Sequence, residues 1–126
     1  MAEGKILIVD DNQSTLSALK LFLQSEFQVV DTLLNPARIL SLLKKDRYDV
    51  VLLDMNFSTG VYIGNEGLFW LDAIKMAAPE VNVILFTAYG DVELAVNARK
   101  LGAADYVLKP WENEKLLATL KRALHQ

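Results

Sequence analysis

The chain has no cysteine and a single histidine in 126 residues. The first absence excludes a disulfide framework, an iron–sulfur centre and thiol chemistry. The second leaves few nitrogen donors for a zinc site, and the one histidine, His125, reads as a solvated tail residue. Long apolar runs are also missing. None approaches the length that crosses a bilayer, and the N-terminus has no signal-peptide pattern. Positive charge is in deficit, with 13 Lys and Arg against 16 Asp and Glu and a formal net charge of −3. Domains that bind nucleic acid directly usually carry a basic patch, and none is visible here. No repeat, linker or low-complexity stretch divides the chain. What is present is a 52% apolar composition, enough for one domain over residues 1–126 with a real core. A cytoplasmic location is the expectation.

Short runs rich in Val, Ile and Leu alternate with helical patterns. "KILIV" (5–9), "QVVDT" (28–32), "VVLL" (50–53), "VNVILF" (81–86) and "DYVL" (105–108) read as strands of a parallel sheet. Between and after them lie five expected helices. The first carries Leu16, Leu19 and Leu23 on one stripe, with Phe22 beside it. The second opens on Asn35 as N-cap and Pro36 as first residue. The third starts near Glu66 or Gly67 and stops before Pro79. The fourth runs from Asp91 to Gly102, a C′ glycine. The fifth follows Pro110 and buries Leu116, Leu117, Leu120 and Leu124. Five βα units imply an α/β, doubly wound, five-stranded sheet, and the flavodoxin-like order 2-1-3-4-5 suits that number.

Ligands of such sheets bind beyond the carboxyl ends of the strands. There the sequence places Asp10 and Asp11 after strand one, Asp54 after strand three, Thr87 after strand four and Lys109 after strand five. Neighbouring strands lie about 4.8 Å apart, so Asp54 falls between the acidic pair and Thr87. Lys109 starts roughly 10 Å away by the same spacing and its long stem can close the gap. Each residue alone has a mundane reading: a helix cap, a turn residue, a β-branched strand residue, a solvated lysine. Together at successive strand ends they suggest phosphoryl chemistry. Clustered carboxylates call for a cation, and an oxygen-only donor set suits Mg²⁺ or Mn²⁺.

"ILIVDDN", "VVLLDMN", "ILFTAYGD" and "GAADYVLKPW" resemble the signature segments of response-regulator receiver domains of two-component signalling, in order and over essentially the whole chain. The variety most resembled is the receiver of nitrogen-regulator-type, sigma-54-dependent transcription activators. The resemblance implies a signalling switch rather than a metabolic enzyme, one that promotes only its own phosphorylation and dephosphorylation. Asp54 would accept a phosphoryl group from a sensor histidine kinase. Asp10, Asp11, Asp54 and the backbone carbonyl of Asn56 would hold Mg²⁺. Thr87 and Lys109 would contact the phosphoryl group, Thr87 and Tyr106 would form the switch, and Lys109–Pro110 would be a peptide often cis in the family. Output would pass through helix four, strand five and helix five, with a homodimer and a C-terminal output domain as expected partners, and no membrane.

One segment departs from the family pattern. Ser58 stands where a proline is usual, and about five extra residues sit within 57–66. That loop carries Phe57, Val61, Tyr62 and Ile63 and is expected to contact a partner or gate the site. Two rival readings remain. A haloacid-dehalogenase-like phosphatase would also use an aspartate nucleophile, but it would want an acid where Asn56 stands. A partner-binding pseudo-receiver would not need the full acidic, threonine and lysine set.

Overall fold

The five apolar runs become the strands of one parallel sheet in the order β2-β1-β3-β4-β5, the flavodoxin-like order expected from the sequence. The structure is a computed structural model that describes residues 3–54, 65–88, 96, 99–100 and 102–125. In chain order the elements are β1 (Lys5–Val9), α1 (Gln13–Leu23), β2 (Val29–Leu33), a 3₁₀ turn (Pro36–Arg38) running into α2 (Ile39–Lys45), β3 (Val50–Asp54), α3 (Asn65–Ala77), β4 (Asn82–Ala88), β5 (Asp105–Lys109) and α4 (Asn113–Leu124). Thus α4 is the helix expected after Pro110. The helix expected over 91–102 and the loop 57–66 fall largely outside the described residues. The expected C′ glycine is seen: Gly102 has a φ of +117°, the left-handed region that glycine enters without strain.

Alternation along each strand sorts the core into two layers. Leu7, Val9, Val51, Leu53, Val83 and Leu85 face one side, packed with Ile39, Leu71 and Ile74 from α2 and α3. Ile6, Ile8, Val50, Leu52, Ile84 and Phe86 face the other, packed with Leu16, Leu19 and Leu23 of α1 and Leu116 and Leu120 of α4. Both faces of the three inner strands are buried, which explains their unbroken apolar runs. The predicted stripe of α1 is confirmed, with Phe22 half-buried at its margin. In α4, Leu116 and Leu120 are buried and Ala123 joins them, while Leu117 and Leu124 are only partly covered.

Helix starts explain where the acidic pair points. Asn12, not either aspartate, caps α1: its side-chain oxygen accepts from the Thr15 N–H at 3.0 Å. Asn35 does the same for the 3₁₀ turn, accepting from Ala37 at 2.9 Å. With Asn12 as cap, Asp10 is left for the site. Its Oδ1 accepts from the Asn12 N–H at 2.9 Å.

At the edge of the sheet the buried Tyr48 hydroxyl donates to Asp31 Oδ2 at 2.6 Å. Burial, then this bond and the Asp31 charge, push the phenol above its ordinary 10.0. A raised folded-state pKa means that the unfolded chain ionises first. The associated stability is fully present below pH 10.0 and is lost as pH rises from there toward the folded value. Tyr48→Phe should therefore cost about 1 kcal/mol at neutral pH, and its stability should fall less steeply than the wild type above pH 10. Urea denaturation at pH 8 and above pH 10 checks both.

Candidate functional site

The ladder registers put the polar residues of three strands together at one edge of the sheet. Leu52 pairs with Ile8 and Ile84, Asp54 pairs with Phe86, and Ala88 pairs with Lys109. Because side chains alternate, Asp10, Asp54, Phe86 and Lys109 all belong to the face that carries α1 and α4. Strands β3, β4 and β5 end one or two residues later than the sequence pattern suggests. Asp54, Thr87 and Lys109 are consequently held in the sheet itself rather than on loose connections.

Lys109 reaches the place expected of it. Its Nζ donates to Asp54 Oδ1 at 2.9 Å and to Asp10 Oδ2 at 3.0 Å. Both aspartates are buried, at 0% and 1% exposure, and the lysine is a charge partner of each. Burial of the ammonium pulls its pKa down and is the largest single influence, but Asp54 and Asp10 together outweigh it and hold the group above its ordinary 10.5. Lys109 is therefore a permanent cation over the physiological range.

Asp11 is half-buried and completes an acidic trio. One carboxylate oxygen from each of Asp10, Asp11 and Asp54 lies within 4.8 Å of the other two. An all-carboxylate set on this scale fits a small hard cation better than zinc. Thr87 is fully buried, and its Oγ1 makes no hydrogen bond among the described residues. A buried hydroxyl without a partner costs about 1–3 kcal/mol, so a group that accepts from it on arrival would be bound with profit. Donor, cation and clustered acids are the set that binds a phosphoryl group beside a metal.

The family model of the response regulator receiver domain matches residues 6–121. The chain belongs to the response-regulator receiver domains. The chain is 37% identical over 123 residues to the NtrX-like response regulator of Rickettsia felis, and 34% identical over 119 residues to the transcriptional regulatory protein ZraR of Escherichia coli. These matches cover 98% and 94% of this chain but 25% and 26% of those proteins, so the receiver spans about a quarter of their length. Among solved structures, the N-terminal signal receiver domain of a Bacteroides fragilis response regulator matches with a TM-score of 0.90 and 48% identity, covering 99% of both chains. NtrX from Brucella abortus, solved with ADP, matches with a TM-score of 0.87 and 30% identity, over 99% of this chain and 27% of that one.

The receiver has a second polar pair on the opposite sheet face. Leu85 pairs with Tyr106 and Thr87 with Leu108, so Thr87 and Tyr106 share the α3 face on neighbouring strands. Tyr106 is half-buried against the cluster of Leu7, Leu53 and Leu85. Lys109–Pro110 is cis. Asn56 lies outside the described residues. Beside Tyr106 a groove of about 790 Å³ runs along β5 and α4, with Arg99, Pro110, Lys115 and Arg122 on its walls. Two of those cations have partners within the chain: Lys115 pairs with Glu112 at 3.2 Å and Arg122 with Asp105 at 3.4 Å. No described helix is long and apolar enough to cross a membrane.

Sequence reasoning missed the aromatic part of the site. Phe86 stands under the Lys109 ammonium, 4.8 Å from ring centroid to Nζ, and Trp111 packs on Phe86 with centroids 5.5 Å apart. Phe86 was hidden inside an apolar strand run. Only the pairing of Asp54 with Phe86 distinguishes it from its neighbours.

Proposed function

We propose that this receiver is a phosphorylation-controlled switch, one domain over residues 1–126, in which Asp54 accepts a phosphoryl group from the phosphohistidine of a sensor histidine kinase. The observation that carries the reading is the bridge from Lys109 to Asp54 and Asp10, together with the unpartnered hydroxyl of Thr87 on the neighbouring strand β4. An Asp54 oxygen attacks phosphorus. An O–P bond forms, the donor's P–N bond breaks, and its electron pair stays on the imidazole nitrogen. Asp54 is the acceptor because β3 is the central strand, between the acidic β1 and the threonine of β4. Lys109 and Thr87 hold the transferred oxygens. Asp10, Asp11 and Asp54, with the carbonyl of Asn56, are the residues that would hold Mg²⁺, which when bound neutralises charge on the phosphoryl oxygens.

Phosphorylation brings about −1.5 to −2 charges and new acceptor oxygens. Thr87 moves to donate to them and clears space on the α3 face for Tyr106, a local change that biases a two-state element. The face of β5 and α4, with the helix expected over residues 91–102, then carries the output, through a homodimer and a C-terminal output domain that regulates transcription in the cytoplasm. Mass spectrometry after incubation with acetyl phosphate and Mg²⁺ should find one phosphoryl group per chain. Steady turnover of an unrelated phosphomonoester would instead favour a phosphatase, and no modification at all a pseudo-receiver.

Two further outcomes follow from the same reading. Asp11→Asn removes the half-buried member of the trio without touching Lys109, so it should weaken Mg²⁺ affinity about tenfold or more with folding intact. Titration followed by Trp111 fluorescence measures it, and unchanged affinity would place the metal elsewhere. Beryllofluoride with Mg²⁺ should raise the mass seen by light scattering toward that of a dimer. The in-chain pairs of Lys115 and Arg122 are exposed and worth only about 0–1 kcal/mol each, so they can be exchanged for partners across an interface. A constant monomer mass at high concentration would point to a heterologous output.

A further inference from the structure

We infer that Phe86 is a positioning residue for phosphoryl transfer: its ring face holds the Lys109 ammonium beside Asp54 without occupying any of the ammonium's hydrogen-bond donors. This deepens the reading of Asp54 as phosphoacceptor and rests on it. Three observations carry it. Phe86 is completely buried and is the direct ladder partner of Asp54. The Lys109 Nζ lies 4.8 Å from its ring centroid, within reach of the negative ring face. Trp111 packs against the same ring, at 5.5 Å and a tilt of 57°, which restricts its orientation.

The chemistry explains why an aromatic ring suits this position. An ammonium has three N–H donors and no acceptor. Two of those donors are directed at Asp54 and Asp10. A carboxylate or carbonyl in place of Phe86 would engage the third, whereas a ring attracts the charge as a whole and tolerates rotation of the group. The third donor thus stays available for a phosphoryl oxygen. The ring also opposes drift of the ammonium, because Asp10 and Asp54 hold it at nearly equal distances, 3.0 and 2.9 Å. Stabilisation of a transferring group is largest when the donor is already in place. An aliphatic residue of similar volume would fill the core but supply no such attraction.

The test replaces Phe86 in the full chain by 4-fluoro-, 3,5-difluoro- and 3,4,5-trifluorophenylalanine. Each fluorine weakens the negative ring face while leaving the shape nearly unchanged. The rate of Asp54 labelling by acetyl phosphate with Mg²⁺ should fall stepwise along the series, by roughly tenfold in total, the size expected of a partly desolvated cation–π contact. Phe86→Leu should be at least as slow as the trifluoro protein, and Phe86→Trp should recover most of the rate. A rate that is flat or rises along the series overturns the inference, because a purely packing role predicts no dependence on ring charge. If the fluorinated proteins fail to fold, the ring is structural and the inference is also overturned. Failure of the underlying reading looks different: the wild-type chain would not be labelled, or its label would not be on Asp54.

Discussion

Replacing Asp54 by asparagine is expected to abolish phosphoryl incorporation from acetyl phosphate, with a loss of more than about 10³-fold, or about 4 kcal/mol in barrier. The substitution keeps shape and burial and removes only the anionic oxygen that attacks. Asp54 is buried at the tip of the central strand, its Oδ1 held by Lys109 at 2.9 Å. An amide there can still accept from Lys109, so the fold should survive. It cannot form the acyl phosphate, because the nucleophile is gone. Asp10 is the informative control. It touches the same ammonium at 3.0 Å and is equally buried, but it lies on β1, to one side of the central strand. Asp10→Asn should slow labelling while leaving Asp54 as the labelled residue. Phosphopeptide mapping of both variants decides the assignment; a label that persists in Asp54→Asn, or that shifts to Asp10, would sink it.

Much of this site was legible in the sequence for a physical reason. A parallel sheet presents every strand's carboxyl end to one edge, so residues distant in sequence meet there whatever the helices do. Asp10, Asp54 and Lys109 obeyed that rule, and the expected reach of the lysine stem is the bridge observed. Strand ends were placed less well. Asp54, Thr87 and Lys109 continue the ladder because polar residues can pair through their backbones as readily as apolar ones, a property that hydrophobic patterning does not register. The cap of α1 was left open by the sequence alone. Aspartate and asparagine cap equally well, and only the geometry assigns Asn12 to the helix and Asp10 to the site. Side chain against side chain was hardest to foresee. Phe86 looks like any core residue until register sets it opposite Asp54 and beneath the ammonium. Tyr48 and Asp31 are 17 residues apart, with no local pattern to join them.

Removing the cation should have the second large effect, and on two quantities at once. Lys109→Met keeps most of the stem and deletes the charge that offsets Asp10 and Asp54. Breaking a buried ion pair from one side typically costs about 3–5 kcal/mol. The lysine side chain is 28% exposed, so water can take up part of the loss and the lower end, about 3 kcal/mol, is expected. Urea denaturation without metal should show it. Mg²⁺ should then stabilise the variant more than the wild type, since the Lys109 ammonium no longer competes for Asp10 and Asp54. Labelling by acetyl phosphate should fall about 10²–10³-fold, the usual loss when one preorganised donor to a developing anion is removed. The two effects are separable, because Mg²⁺ that restores the fold supplies no N–H donor. A variant restored to full stability by Mg²⁺ but still slow would show that Lys109 acts on the phosphoryl group itself. One whose rate recovers together with its stability would reduce the lysine to a counter-ion, and with it the case for Phe86 as the residue that holds the lysine in place.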